Sequence, residues 1–160
     1  MTATAQHSGA TVRAGQPAPD FTLASTAGQQ VSLSALRGKN VLVAFFPLAF
    51  TSTCTAELCE MRDDFEQFER RGTVVLPISV DSVPTLKEYK SKYDMHVDLL
   101  SDFKRDASRA FGVLNEEKFF SNRSYFLIDR DGVVRWSHVE SNNSERRPDA
   151  EILTQIDRLA

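Results

Sequence analysis

The chain has 160 residues, 41% of them apolar and 26% charged, with a formal net charge of −3. This is the composition of one globular domain with a substantial core. It gives no reason to expect nucleic acid or an anionic membrane as partner, and the longest apolar run, residues 41–50, is far too short to span a bilayer.

Residues 1–10 lack the basic stretch and apolar segment of a secretory signal and read as a mobile polar tail, which points to a cytoplasmic protein. Residues 11–160 read as a single domain. Residues 21–23 and 31–33 alternate in polarity around a turn at 27–30, which predicts a hairpin. Ser34 reads as the cap of a short turn ending near Arg37-Gly38. Residues 41–46 are apolar without alternation, as in a central strand covered on both faces. Pro47 ends that run, and a short loop leads to Cys54. There a helical pattern begins, with Leu58, Met61, Phe65 and Phe68 on one face, Glu57, Glu60, Asp63 and Glu66 off it, and Gly72 as its stop.

Residues 73–80 read as another buried strand, in which Pro77 implies an edge position or a bulge. Asp81-Ser82-Val83-Pro84 opens a helix carrying Leu86, Tyr89 and Tyr93. A short strand is predicted over residues 97–100. Asp106 reads as the cap of a short helix closing at Phe111-Gly112. Residues 123–128 and 133–136 flank Asp129-Arg130-Asp131-Gly132, a strong hairpin signal. Pro148, Asp149 and Glu151 open a last helix with Ile152, Ile156 and Leu159 inside. The order predicts an α/β fold, a mixed central sheet with helices on both faces and an N-terminal hairpin.

The chain has two cysteines, Cys54 and Cys59, too few for a disulfide framework. Their spacing brings no further Cys or His ligand, and His7, His96 and His138 are scattered, so no metal site is expected. Cys54 stands where a strand hands over to a helix N-terminus, whose N–H groups and macrodipole favour a thiolate. Position alone leaves it between a reactive thiolate and a small buried hydrophobe. Its neighbours add chemistry. The Thr51 hydroxyl is placed to donate to a thiolate and accept from a substrate O–H. Pro47 stiffens and shields the loop. Glu57 would oppose a thiolate, so a cation has to neutralise it and face the sulfur, and Arg123, at the head of a β-run, is the candidate. Plainer readings suit the rest: Trp136 as packing, His96 and His138 as surface or structural, Arg146-Arg147 as a solvated pair, and Phe119-Phe120 as a loop beside the site or a dimer contact.

Pro47-x3-Thr51-x2-Cys54 resembles the P-x3-T-x2-C signature of the peroxiredoxins. Residues 16–23, 45–47, 107–113 and Arg123-Ser124-Tyr125-Phe126-Leu127-Ile128-Asp129 resemble further segments of that family, in order, so the likeness spans most of the chain. It implies a thioredoxin-like fold and a thiol peroxidase that needs no cofactor. By that resemblance Cys54 is the peroxidatic cysteine, Thr51 and Arg123 hold the peroxide oxygens, Pro47 covers the site, and the Thr53 and Cys54 N–H groups add donors, with Glu57 in support. The implied substrates are hydrogen peroxide and organic hydroperoxides, the implied reductant a thioredoxin or glutaredoxin-like protein, and the implied state a monomer or homodimer.

Residues 45–51 resemble the alkyl hydroperoxide reductase E type, often one-cysteine enzymes. Cys54-x4-Cys59 resembles the bacterioferritin-comigratory (Q-type) branch, in which the second cysteine resolves the sulfenic acid as an intramolecular disulfide. Cys59 is therefore expected to resolve, with an incidental Cys59 in a one-cysteine peroxidase, or a redox sensor without turnover, as alternatives. A thioredoxin-like disulfide reductase is disfavoured, because the chain has no C-x-x-C. Five residues along an α-helix span about 7.5 Å and about 140° of rotation. A disulfide needs Cα atoms within about 7 Å. Resolution by Cys59 therefore requires the first turns of the helix to unwind.

Overall fold

The apolar run from Val41 to Phe46 has no polar side to turn outward, and none of its residues reaches solvent. Leu42, Ala44 and Phe46 point into one core, whereas Val41, Val43 and Phe45 point into a second. That period of two fixes a strand at the centre of a sheet covered on both faces. The chain around it is described by a computed structural model over residues 10–159. The tail expected over residues 1–10 lies outside the described residues except for Ala10. Ala10 and Thr11 cross Gly112 so closely that a Cβ there would sit 2.0 Å from the Ala10 carbonyl oxygen, and Thr11 Oγ1 donates to the Gly112 carbonyl at 2.9 Å.

The N-terminal hairpin forms as expected from β1 (Thr22–Ser25) and β2 (Gln30–Ser32). After β3 (Asn40–Phe45) come α1 (Ser52–Asp63), α2 (Phe65–Arg70), β4 (Thr73–Ser79), α3 (Val83–Lys92), β5 (Leu100–Ser101) and α4 (Asp106–Ala110). A small hairpin, β6 (Leu114–Asn115) and β7 (Phe120–Ser121), precedes β8 (Ser124–Ile128), β9 (Val134–Val139) and α5 (Asp149–Asp157). The main sheet has the order β2-β1-β5-β4-β3-β8-β9. Its strands β3, β4 and β5 run parallel, and β8 runs antiparallel to β3. α1, α2, α3 and α5 cover one face through Leu58, Met61, Phe68, Leu86, Ile152 and Ile156. α4 and the turn after β2 cover the other through Leu33, Ala107 and Phe111. No helix among the described residues is long and apolar enough to cross a membrane.

Several expectations change. The helix after Cys54 is two helices, broken at Asp64, whose φ of −97° and ψ of 10° leave the helical region. Adjacent Asp63 and Asp64 are poor helix formers, and each half keeps its own inward residues. Glu57 was expected off the apolar face, yet it is fully buried beneath α1. Pro77 lies in the central strand β4, neither at an edge nor at a bulge. The Phe46 N–H donates to the Ile78 carbonyl at 2.9 Å, so Pro77 turns its nitrogen toward β5. Pairing with β5 begins only at Ile78, and no donor is missed.

The strand expected over residues 97–100 shrinks to β5, and the loop expected at Phe119-Phe120 is the β6–β7 hairpin. Phe119 is exposed there, with the Arg105 guanidinium 4.1 Å from its ring centre. Two caps belong to other residues. Asp20 Oδ1 accepts from the Ser34 N–H at 2.9 Å, and Asp102 accepts from the Ala107 and Ser108 N–H groups at 3.0 and 2.7 Å. Ser34 and Asp106 therefore cap nothing. Ser82 does cap α3, accepting from the Thr85 N–H.

Candidate active site

β3 ends at Phe45, and after Pro47 the loop from Leu48 to Thr51 carries the chain over the carboxyl end of the sheet. Asp81, just beyond β4, accepts from the Ala49 N–H at 2.8 Å and pins the loop. Phe50 takes a φ of 68°, a left-handed conformation costly for a bulky residue. Its ring packs on Tyr89 of α3, with centroids 4.8 Å apart. The turn delivers Thr51 as the N-cap residue of α1, which puts Cys54 in the first helical turn. No side chain caps that helix, because Thr51 Oγ1 donates instead to the Leu48 carbonyl at 2.7 Å. Pro47, where the loop begins, is buried.

Cys54 is 1% exposed. Facing it is Arg123, immediately before β8, a residue distant in sequence but brought near by the β3–β8 pairing. Arg123 Nη2 lies 3.2 Å from Cys54 Sγ. Arg123 Nη1 donates to Glu57 Oε1 at 2.6 Å. Both side chains of this pair are 1% exposed, so neither charge has water as an alternative partner. Two further groups hold the pair. Tyr125 O–H donates to Glu57 Oε2 at 2.6 Å. The Asn143 carbonyl accepts from Arg123 Nη2 at 3.0 Å, and Asn143 Oδ1 accepts from the Arg123 N–H at 2.8 Å. Arg123 Nε has no partner among the described residues.

The Glu57 carboxyl is raised above its ordinary value: burial pushes it upward, and the Arg123 charge with the Tyr125 and Arg123 hydrogen bonds pulls it only part of the way back. Burial opposes the Arg123 charge, but the adjacent Glu57 and Cys54 outweigh it and Arg123 is held firmly as a cation. Burial and the neighbouring Glu57 charge keep Tyr125 a neutral phenol. The arrangement is therefore an arginine clamped as a fixed cation, with one nitrogen committed to a carboxylate and another to a sulfur. It can hold a thiolate in place and stabilise negative charge that develops beside it.

A family model described as AhpC/TSA family matches residues 14–137. The chain belongs to the AhpC/TSA family. It is a peroxiredoxin, a peroxidase by class. Alkyl hydroperoxide reductase E of Mycobacterium tuberculosis is 42% identical to this peroxiredoxin over 135 residues, spanning 82% of this chain and 88% of the relative. Peroxiredoxin Bcp of Escherichia coli is 36% identical over 129 residues, spanning 77% and 83%. Among solved structures, the reduced 2-Cys peroxiredoxin of Plasmodium vivax superposes with a TM-score of 0.86 at 31% identity, covering 92% of this chain and 82% of that one. The peroxidoxin BcpB of Mycobacterium tuberculosis superposes at 0.84 with 25% identity, covering 93% and 99%. The thioredoxin-like fold expected from sequence is thus present.

In this peroxiredoxin Cys54, Glu57 and Arg123 come together as the charge argument requires. Thr51 stands at the end of the loop that leads into α1, Pro47 is buried at the start of that loop, and Thr53 lies in the first turn of α1. The Thr51 hydroxyl bonds to the loop and not to the sulfur. Cys59 is a half-buried free thiol on the same unbroken helix as Cys54. Sequence reasoning missed Tyr125 and Asn143. Tyr125 was detectable, since it stands two residues after Arg123 and so shares its face of β8. Asn143 lies in a loop without periodicity. Arg146 and Arg147 are not merely solvated. Arg146 pairs with Glu60, and Arg147 Nε donates to Glu140 at 2.8 Å.

Below this site the α1–α2 break meets the start of α5. Carboxylate oxygens of Glu60, Asp64 and Asp149 lie within 4.8 Å of one another. Asp149 is buried, and burial together with the Glu60 and Asp64 charges pushes its carboxyl up to about 8.

Proposed function

We propose that this peroxiredoxin reduces hydrogen peroxide and organic hydroperoxides at Cys54. The observation that carries the reading is Arg123 Nη2 at 3.2 Å from Cys54 Sγ, with the same guanidinium fixed by Glu57. The Cys54 thiolate attacks one peroxide oxygen. An S–O bond forms as the O–O bond breaks, and the departing oxygen leaves as hydroxide or alkoxide and takes up a proton. Charge moves from sulfur onto the two oxygens during the step, so donors already fixed beside them lower the barrier. Arg123 supplies such donors, and the N–H groups of Thr53 and Cys54 at the uncapped start of α1 add to them. The Thr51 hydroxyl has given its proton to Leu48, so what it offers a hydroperoxide is a lone pair, an acceptor for the substrate O–H. Pro47 covers the site. The near-complete burial of Cys54 keeps bulk water from the reacting sulfur.

Cys59 then attacks the Cys54 sulfenic acid and releases water, giving an intramolecular disulfide that a thioredoxin-type dithiol reduces. Two free thiols fit a reducing, cytoplasmic setting. Stopped-flow oxidation by hydrogen peroxide, followed by mass spectrometry after one equivalent, tests the scheme. Wild type is expected to lose two hydrogens as a Cys54–Cys59 disulfide, Cys59→Ser to gain one oxygen at Cys54, and Cys54→Ser to stay unreacted. A lasting sulfenic acid in wild type would leave Cys54 as the reacting thiol and remove Cys59 from the cycle.

A further inference from the structure

The polar contacts around Glu57 come from two directions, and only one belongs to the arginine. Oε1 accepts from Arg123, whereas Oε2 accepts from the Tyr125 O–H at 2.6 Å. Tyr125 is wholly buried, and its ring packs near Trp136 with centroids 6.3 Å apart. Its oxygen is fixed from the far side, because the Arg147 N–H donates to it at 3.0 Å. That bond leaves the phenolic proton free to point at Glu57 alone. A buried carboxylate with a single partner is expensive, and loss of its second donor favours the protonated form.

We infer that Tyr125 is a positioning residue for the peroxidase reaction: its hydroxyl keeps Glu57 ionised and aligned, so that Glu57 in turn holds Arg123 against Cys54. The inference rests on Cys54 being the reacting thiol. Tyr125 touches neither sulfur nor peroxide in this scheme. It acts through Glu57, which lies one turn along α1 from Cys54 on the same buried face. The charged and titratable groups facing Glu57 are Arg123 from just before β8, Tyr125 from β8, Cys54 from its own helix, Arg146 from the loop before α5, and Asp149 from α5 itself. Replacement of Tyr125 by phenylalanine keeps the ring and removes only the donor. Burial then acts on Glu57 with less opposition, its carboxyl moves further up, and protonation frees Arg123 from its clamp. Asp149 titrates in both forms and cancels in their ratio.

The test compares Tyr125→Phe with its parent in a Cys59→Ser background, so that Cys54 is the single source of thiolate absorbance. The second-order rate constant with hydrogen peroxide is measured from pH 6 to pH 9 and divided by the thiolate fraction read by ultraviolet absorbance. The variant is expected to be slower per thiolate by about tenfold at pH 6, and to return to within about twofold of its parent at pH 9. Glu57→Gln, which keeps an acceptor for Tyr125 but carries no charge, is expected to stay at the low value across the range. A Tyr125→Phe profile parallel to its parent, whether equal or lowered by one constant factor, would overturn the inference. So would a Glu57→Gln chain with the full rate per thiolate, a result that stands even if Tyr125→Phe folds poorly. A parent in which added Cys54→Ser leaves peroxide consumption unchanged would instead remove the Cys54 reading, and this inference with it.

Discussion

Arg123 holds a full charge in a place that water does not reach, and its carboxylate partner is equally dry. Such a pair is a poor source of net stability, but removal of one member strands the other. From sequence alone, Arg123→Ala should slow the peroxidase greatly while leaving the fold intact. The buried pair changes that expectation. Arg123→Ala is expected to lose about 3–5 kcal/mol at neutral pH, because Glu57 is left without its cation. The double variant Arg123→Ala/Glu57→Gln should recover part of that loss in urea unfolding, while peroxide oxidation stays depressed on the order of 10²-fold. Recovery of rate together with stability would mean that Arg123 serves the fold and not the reaction. At this scale the sequence was informative where residues act locally. Pro47, Thr51 and Cys54 keep fixed spacings across one strand-to-helix junction. Arg123 was reachable because Glu57 demanded a cation and because residues 123–129 resemble a segment of the family. Tyr125 was passed over because it stands in an apolar-looking run, 124–128, in which every residue is buried, although its spacing from Arg123 pointed to it.

Two helices meet at the far end of α1 from Cys54. α1 carries both thiols and stops at Asp64, and the first turn of α5 packs against that stop. Asp149 binds a proton in the folded protein up to about pH 8, against about 3.9 for a free side chain. Between those values the folded state holds more protons than the unfolded one. Its stability therefore falls as pH rises through that window, and below it the group contributes nothing. Asp149→Asn should flatten this slope and raise the thermal midpoint at pH 8, by about 2–4 °C for each kcal/mol relieved. Midpoints at pH 5 and pH 8 check it, and an unchanged difference between the two would contradict it. The helix break was not legible, since the apolar spacing continues through Asp64 without interruption. Pro77 misled for a related reason. Whether a strand residue needs its N–H depends on where the neighbouring strand begins, and a single strand's sequence does not carry that information. Hydrogen exchange offers a second check at this scale. The Cys54–Cys59 disulfide form is expected to lose protection in the first turns of α1 and keep it in β3.

For the molecule as a whole, residue pattern and observed architecture agree most closely at the sheet. Its central strands announce themselves by unbroken apolar runs, and the two hairpins by their turns. What the chain order conceals is how a β3–β8 pairing brings residue 123 beside residue 54. Glu57 also lies between the two cysteines in sequence. Any unwinding that lets Cys59 reach Cys54 must draw that carboxylate out of the core and away from Arg123. In the proposed cycle, closing the disulfide would break a buried ion pair, and reopening it would restore the pair. The pair would act as a return spring that makes the disulfide a better oxidant of its reductant. Relaxing the spring should show in the redox poise. Glu57→Gln is expected to shift the Cys54–Cys59 couple to a more negative potential, by about 30 mV for each 1.4 kcal/mol of strain removed, in equilibration against a thiol buffer. A potential equal to that of wild type would mean that recycling is driven by the reductant alone.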